Sequence, residues 1–190
     1  MKSKLLPVVV LILWFGAHGS SAQDGSVIIA IRAEVAQING SLSNFTKTTK
    51  SVEGISLEGA EANYYSRGKE LKKIAAKMYG ETYNAAVELY YMDGMLTFAY
   101  YRFNRYDTQI GMPKPPKIVS SRKQRFYFSK GELVKVLLGK MEVKAGSEQW
   151  RESEAEIASL AQKLRSEFEE KRSDGSGPAW SVTVLADCRS

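Results

Sequence analysis

YYSRGKEL (residues 64–71), YYMDGML (90–96) and FYFSKGEL (126–133) repeat one arrangement: an aromatic pair or triplet, a turn glycine and, after one or two intervening residues, a leucine. Each copy predicts a β-hairpin. In the middle copy Asp93-Gly94 is the dipeptide a two-residue type I′ turn takes, because both central residues need positive φ. All ten tyrosines fall between Tyr64 and Tyr127, which assigns them to one antiparallel sheet. With Asp93-Gly94 as the loop, Tyr91 should face Leu96, Leu89 should face Phe98 and Val87 should face Tyr100, all toward the core. With Lys130-Gly131 as the loop, Phe128 faces Leu133 with Phe126 and Leu137 on the same side, and Tyr127, Val134, Arg125 and Val136 take the other. Gly68 stands one residue further from its leucine, which suggests a three-residue loop with a bulge. The following LKKIAAKMYG would suit a helix or a strand; its place in the repeat assigns it to a strand.

Outward from the hairpins the pattern changes period. Ile28, Ile31, Val35, Ile38, Leu42 and Phe45 recur at steps of three and four, one stripe of an amphipathic helix capped by Asp24 or Ser26 and weakened at Gly40. Trp150, Ile157, Leu160, Leu164 and Phe168 form a second stripe over Glu148 to Arg172, with Ser147 as N-cap. Between Lys47 and Glu61 threonines, Val52 and Ile55 lie among glycines and polar residues, which reads as a turn and an edge strand. Pro113, Pro115 and Pro116 place the loop 109–117 at the surface. SDGSGP (173–178) is a flexible break, and WSVTVLA (180–186) alternates like a short strand. The expected fold is therefore α+β: an antiparallel sheet of about six strands built from three hairpins, with an N-terminal and a C-terminal helix packed on one face. Residues 23–172 make a single domain between a leader, 1–22, and a tail, 173–190.

The leader carries Lys2 and Lys4 ahead of eleven apolar residues, Leu5 to Phe15, and ends in small residues with Ser20 and Ala22 placed for signal peptidase. It is too short to span a bilayer, which needs ~20 apolar residues. Cleavage after Ala22 would send the chain to the periplasm or outside the cell, with no stable transmembrane segment. It would also remove His18, the one histidine, and so exclude Ser-His and Cys-His nucleophilic pairs and histidine metal sites. Cys188, the one cysteine, has no intrachain partner, so the fold must hold by packing alone. Without Lys2 and Lys4, 25 basic residues face 21 acidic ones, a charge of +4. That mild excess favours anionic envelope surfaces or acidic partners and is far from a nucleic-acid footprint. No phosphate loop, dinucleotide fingerprint or metal-ligand spacing is present, so neither cofactor nor metal is expected.

Taken together, the repeated aromatic-x-x-Gly-x-Leu hairpins, the long strand TFAYYRFNRY (97–106) and the closing helix resemble a set of small exported bacterial proteins of unknown function. More loosely, the hairpins are similar to MORN-like repeats, although Gly68, Gly94 and Gly131 lie 26 and 37 residues apart and the strands are not glycine-dense as in those repeats. That motif is structural: the resemblance implies a scaffold and brings no catalytic residue.

Aromatics interleaved with arginines can hold anionic or planar groups by stacking and bidentate hydrogen bonds. This marks Tyr101, Arg102, Phe103, Arg105 and Tyr106, with Arg122, Lys123 and Arg125 on the neighbouring strand, as the candidate surface. The expected function is a non-enzymatic exported module binding a protein or an envelope surface through that aromatic and basic face. The alternatives are a small-ligand binder with a tyrosine-lined pocket and a hydrolase working with carboxylates drawn from Glu58, Glu61, Glu81, Glu88, Asp93 and Asp107.

Overall fold

A computed structural model describes residues 21–173, with side chains from Gly25 to Glu169. Residues 1–20 of the expected leader, and the tail with Trp180 to Ala186 and Cys188, lie outside the described residues. Helix α1 (Ser21–Gly40) stops at the glycine, and Ser41 N–H bonds back to Ile38 O at 3.1 Å before a single 3-10 turn, Leu42–Asn44. Then come β1 (Thr46–Val52), β2 (Ala60–Arg67), β3 (Glu70–Gly80), β4 (Tyr83–Met92), β5 (Met95–Tyr106), β6 (Ile118–Ser129), β7 (Glu132–Leu138), β8 (Met141–Glu142) and helix α2 (Glu148–Ser173). The strands form one antiparallel meander in chain order, β1 to β8. The sheet thus has eight strands where about six were expected, because the polar β1 and the two-residue β8 extend its edges. Ser147 caps α2 as predicted, its Oγ accepting from Trp150 N–H at 3.2 Å.

The three repeats are hairpins of identical construction. Each closes on a two-residue loop, Gly68-Lys69, Asp93-Gly94 or Lys130-Gly131, so the first is not the three-residue loop expected. In the second and third loops both residues have positive φ (51° and 76°, 53° and 85°), the type I′ signature; in the first only Gly68 does, at 58°. One residue after the loop each repeat pairs its leucine, Ser66 with Leu71, Tyr91 with Leu96 and Phe128 with Leu133, and then skips one residue, Lys72, Thr97 or Val134. That bulge shifts the expected register: Tyr90, not Leu89, faces Phe98, and Val87 faces Tyr101. In the third repeat Phe126 faces Val136, and Leu137 turns to the opposite side with Arg125. A one-residue slip exchanges the faces, so the bulge rather than the turn decides which side chains enter which core. LKKIAAKMYG is strand throughout, as its place in the repeat implied.

The helices lie on opposite faces of the sheet, not on one as expected. Tyr64, Ile74, Leu89, Tyr91, Phe126 and Phe128 pack with Trp150, Ile157 and Leu164 of α2. On the other face Tyr90, Phe98 and Tyr127 pack with Ile28, Ile31 and Ile38 of α1. The cause is visible in the aromatic doublets. Successive strand residues point to opposite faces, so Tyr90-Tyr91 and Tyr127-Phe128 send one ring each way, and each side needs a cover.

Candidate functional site

Strand β5 does lie beside β6, with Tyr100 opposite Arg125, Arg102 opposite Lys123 and Phe103 opposite Arg122. Alternation nonetheless splits the residues singled out from the sequence. Tyr101, Phe103, Arg105 and Arg122 fall on the α2 side, whereas Arg102, Tyr106 and Arg125 fall on the α1 side, so they do not form one surface. On the α2 side the aromatic and basic groups serve packing: Tyr83 stacks on Phe103 with centroids 5.3 Å apart, and the Arg122 guanidinium covers the Phe103 ring at 5.3 Å. Burial, with the charge of Glu156 behind it, raises the Tyr101 hydroxyl above its usual range.

The α1 side is different: the α1 core takes in the row of Tyr90, Phe98 and Tyr127 and, in part, Tyr100 and Leu137 of the next row, whereas Lys77, Arg102 and Lys123 beyond them are exposed. Rows of direct cross-strand neighbours run over this side. One contains Lys77, Ala86, Arg102 and Lys123, and the next contains Ala75, Glu88, Tyr100 and Arg125. Lys77, Arg102 and Lys123 are exposed, and Ala75 and Ala86 keep the floor between them low. Arg125 donates Nη1–H to Gly139 O at 3.0 Å. Beyond the basic row runs a hydrogen-bonded polar ladder: Ser121 Oγ donates to Asn104 Oδ1 (2.8 Å), Asn104 Nδ2 to Asn84 Oδ1 (2.9 Å) and Asn84 Nδ2 to Tyr106 Oη (2.7 Å). The chain fixes this row rigidly without spending its surface cations. Lys77, Asn84, Asn104 and Ser121 were not found from the sequence. Steps of two from Arg102 reach Asn104, but the partners on β3, β4 and β6 need the register.

The border between the covered and open parts of this face is a charged cluster. Lys73, only 6% exposed, donates to Asn39 Oδ1 at 2.8 Å and to Glu88 Oε2 at 2.9 Å, with its ammonium 4.7 Å from the Tyr90 ring centre. The Tyr90 hydroxyl donates its one proton to Glu88 and lies 3.0 Å from Asn39 Oδ1. Burial pushes the Glu88 carboxyl upward, but the hydrogen bonds from Tyr90 and Lys73 and the charges of Lys73 and Arg102 prevail and hold it below its ordinary range. Burial and the Glu88 hydrogen bond hold Tyr90 protonated far above the usual phenol range. This cluster pins the C-terminal end of α1 to the sheet.

At the far end the β5–β6 loop is fastened back onto the β3–β4 turn, with Tyr106 N–H to Thr82 O and Ile110 N–H to Glu81 O, each at 2.8 Å. It holds Ile110, Met112, Ile118 and Val119 in the open, each more than half exposed. Of the acids considered for hydrolysis, Glu81 accepts from Gln109 Nε2 at 2.8 Å and Asp107 accepts from Lys117 N–H at 2.8 Å. Asp93 occupies a turn position with φ 51°. No group of three His, Cys, Asp or Glu placed to hold a metal occurs among the described residues. None of their helices is long and apolar enough to cross a membrane. No family model, curated protein or solved structure matches the chain.

Proposed function

We propose that the protein is a non-enzymatic exported module that lies on the anionic lipid surface of the cell envelope, with the open part of the α1 face turned toward the headgroups. The observation that carries this reading is the row Lys77, Arg102 and Lys123, three exposed cations on one sheet face with no ion pair among the described residues. Anionic headgroups attract such a patch by about 1 kcal/mol per Lys or Arg near the surface. The apolar tip of the β5–β6 loop supports the same orientation. Ile110, Met112 and Ile118 sit at the end of the strands that carry Arg102 and Lys123, and peripheral binding strength combines buried apolar area with electrostatic attraction. Co-sedimentation with vesicles tests it. The protein should pellet with phosphatidylglycerol vesicles and not with phosphatidylcholine vesicles, and R102E/K123E should abolish pelleting; equal pelleting of the double variant would refute the reading.

A further inference from the structure

On the opposite face, a groove of about 380 Å³ opens between α2 and the tips of the second and third repeats, and a second of about 340 Å³ continues it toward the first. The two share Tyr91, Gly94 and Arg165, so all three repeated turns border a single trough. One end is mainly apolar, with Leu96, Phe128 and Ala158, whereas the other sets Leu71 and Phe168 among the charged Lys69, Glu70 and Glu169. Ala158 and Gly131 keep it open where larger side chains would fill it. At the junction lies Tyr91, 2% exposed, whose buried hydroxyl finds no hydrogen-bond partner among the described residues. A buried donor left unpaired costs about 1–3 kcal/mol; of the two such hydroxyls on this face, Tyr64 and Tyr91, only Tyr91 belongs to the trough. Beside it Arg165 donates Nε–H to Glu169 and Nη1–H to Gly94 O, both at 2.7 Å, with its guanidinium 5.9 Å from the Tyr91 ring centre. Two of its five N–H donors are thereby engaged.

We propose that this trough binds a fatty acid, its alkyl chain along Leu96, Phe128 and Ala158 and its carboxylate between the Tyr91 hydroxyl and the remaining donors of Arg165. The chemistry selects that ligand. The apolar end asks for an unbranched apolar body, the orphaned hydroxyl for an acceptor, and the remaining donors of the half-exposed guanidinium for an anion. Burial keeps the Tyr91 phenol protonated well above its usual range, so it stays a donor at physiological pH.

Laurate is a suitable probe, measured by calorimetry on the purified protein below its micelle-forming concentration. Y91F and, independently, A158W at the exposed rim should each weaken binding at least tenfold, and R102E/K123E, on the other face, should leave it unchanged. Y91F should melt at or above the wild-type temperature, because it removes an unsatisfied group. No binding by the wild type, undiminished binding by Y91F, or a large fall in its melting temperature would overturn the assignment. So would binding that appears only after deletion of residues 174–190, which would give the trough to the chain's own tail.

Discussion

Arg102 on β5 and Lys123 on β6 stand directly opposite one another on the open sheet face. Like charges in that relationship destabilise a sheet, by something within the roughly 0.2–1 kcal/mol that cross-strand pairs carry. A fold selected for stability alone would place an acid at one of the two. K123E should therefore raise stability by about 0.5 kcal/mol in urea unfolding while weakening attachment to anionic vesicles. A loss of stability would show that Lys123 has a structural task.

Gly80 lies opposite Tyr83, and a Cβ at position 80 would come within 2.1 Å of the Tyr83 ring. The ring covers the bare backbone and stacks in turn on Phe103. G80A should cost about 1–3 kcal/mol through that overlap. In a Y83A background the same change should cost much less, and a double-mutant cycle by denaturant unfolding measures the difference.

Lys130 carries a long side chain at φ 53°, where Asn fits better. K130N should stabilise the third repeat by about 0.5 kcal/mol. Asp93 occupies the equivalent place in the second repeat, so D93K should cost a similar amount.

The Glu88 carboxyl titrates lower in the folded chain than in the unfolded one, because Tyr90 and Lys73 donate to it once burial has been overcome. Its contribution is therefore fully present above the ordinary carboxylate range and is lost as pH falls through the folded value. E88Q should cost about 1–2 kcal/mol at pH 7, discounted because the Glu88 side chain is 40% exposed, and should flatten the acid limb of a stability–pH curve. A variant curve parallel to the wild type would show that Glu88 is not the titrating group.

The second and third loops, the strand after Leu71 and the Ser147 cap were legible because each rests on a local rule: positive φ at Asp93-Gly94, repeat position, or a hydroxyl before an apolar stripe. A bulge was expected in the first repeat and is there, at Lys72; those at Thr97 and Val134 were not legible, since nothing in those residue types distinguishes a skipped position from a paired one. Missing them moved Phe98 and Leu137 to the wrong face; reading Tyr101, Arg102, Phe103 and Arg105 as one surface overlooked strand alternation, which turns Arg102 away from the other three. The opposed helices left a signal that could have been used. Tyr90-Tyr91 and Tyr127-Phe128 put large rings on both sides of one sheet, which two helices on a single face could not have covered. Lys73 and Glu88 were unreadable as partners, because they meet diagonally across β3 and β4, with Lys73 opposite Tyr90, and that register was not known.

Amide shifts of the isotope-labelled protein, titrated with phosphatidylglycerol nanodiscs, test the attachment most directly. The account predicts broadening or shifts concentrated at Lys77, Arg102, Lys123 and Ile110, suppressed by salt, with Ile157 and Leu164 of α2 unmoved. Changes confined to α2 and the repeat turns, or none at all, would contradict it.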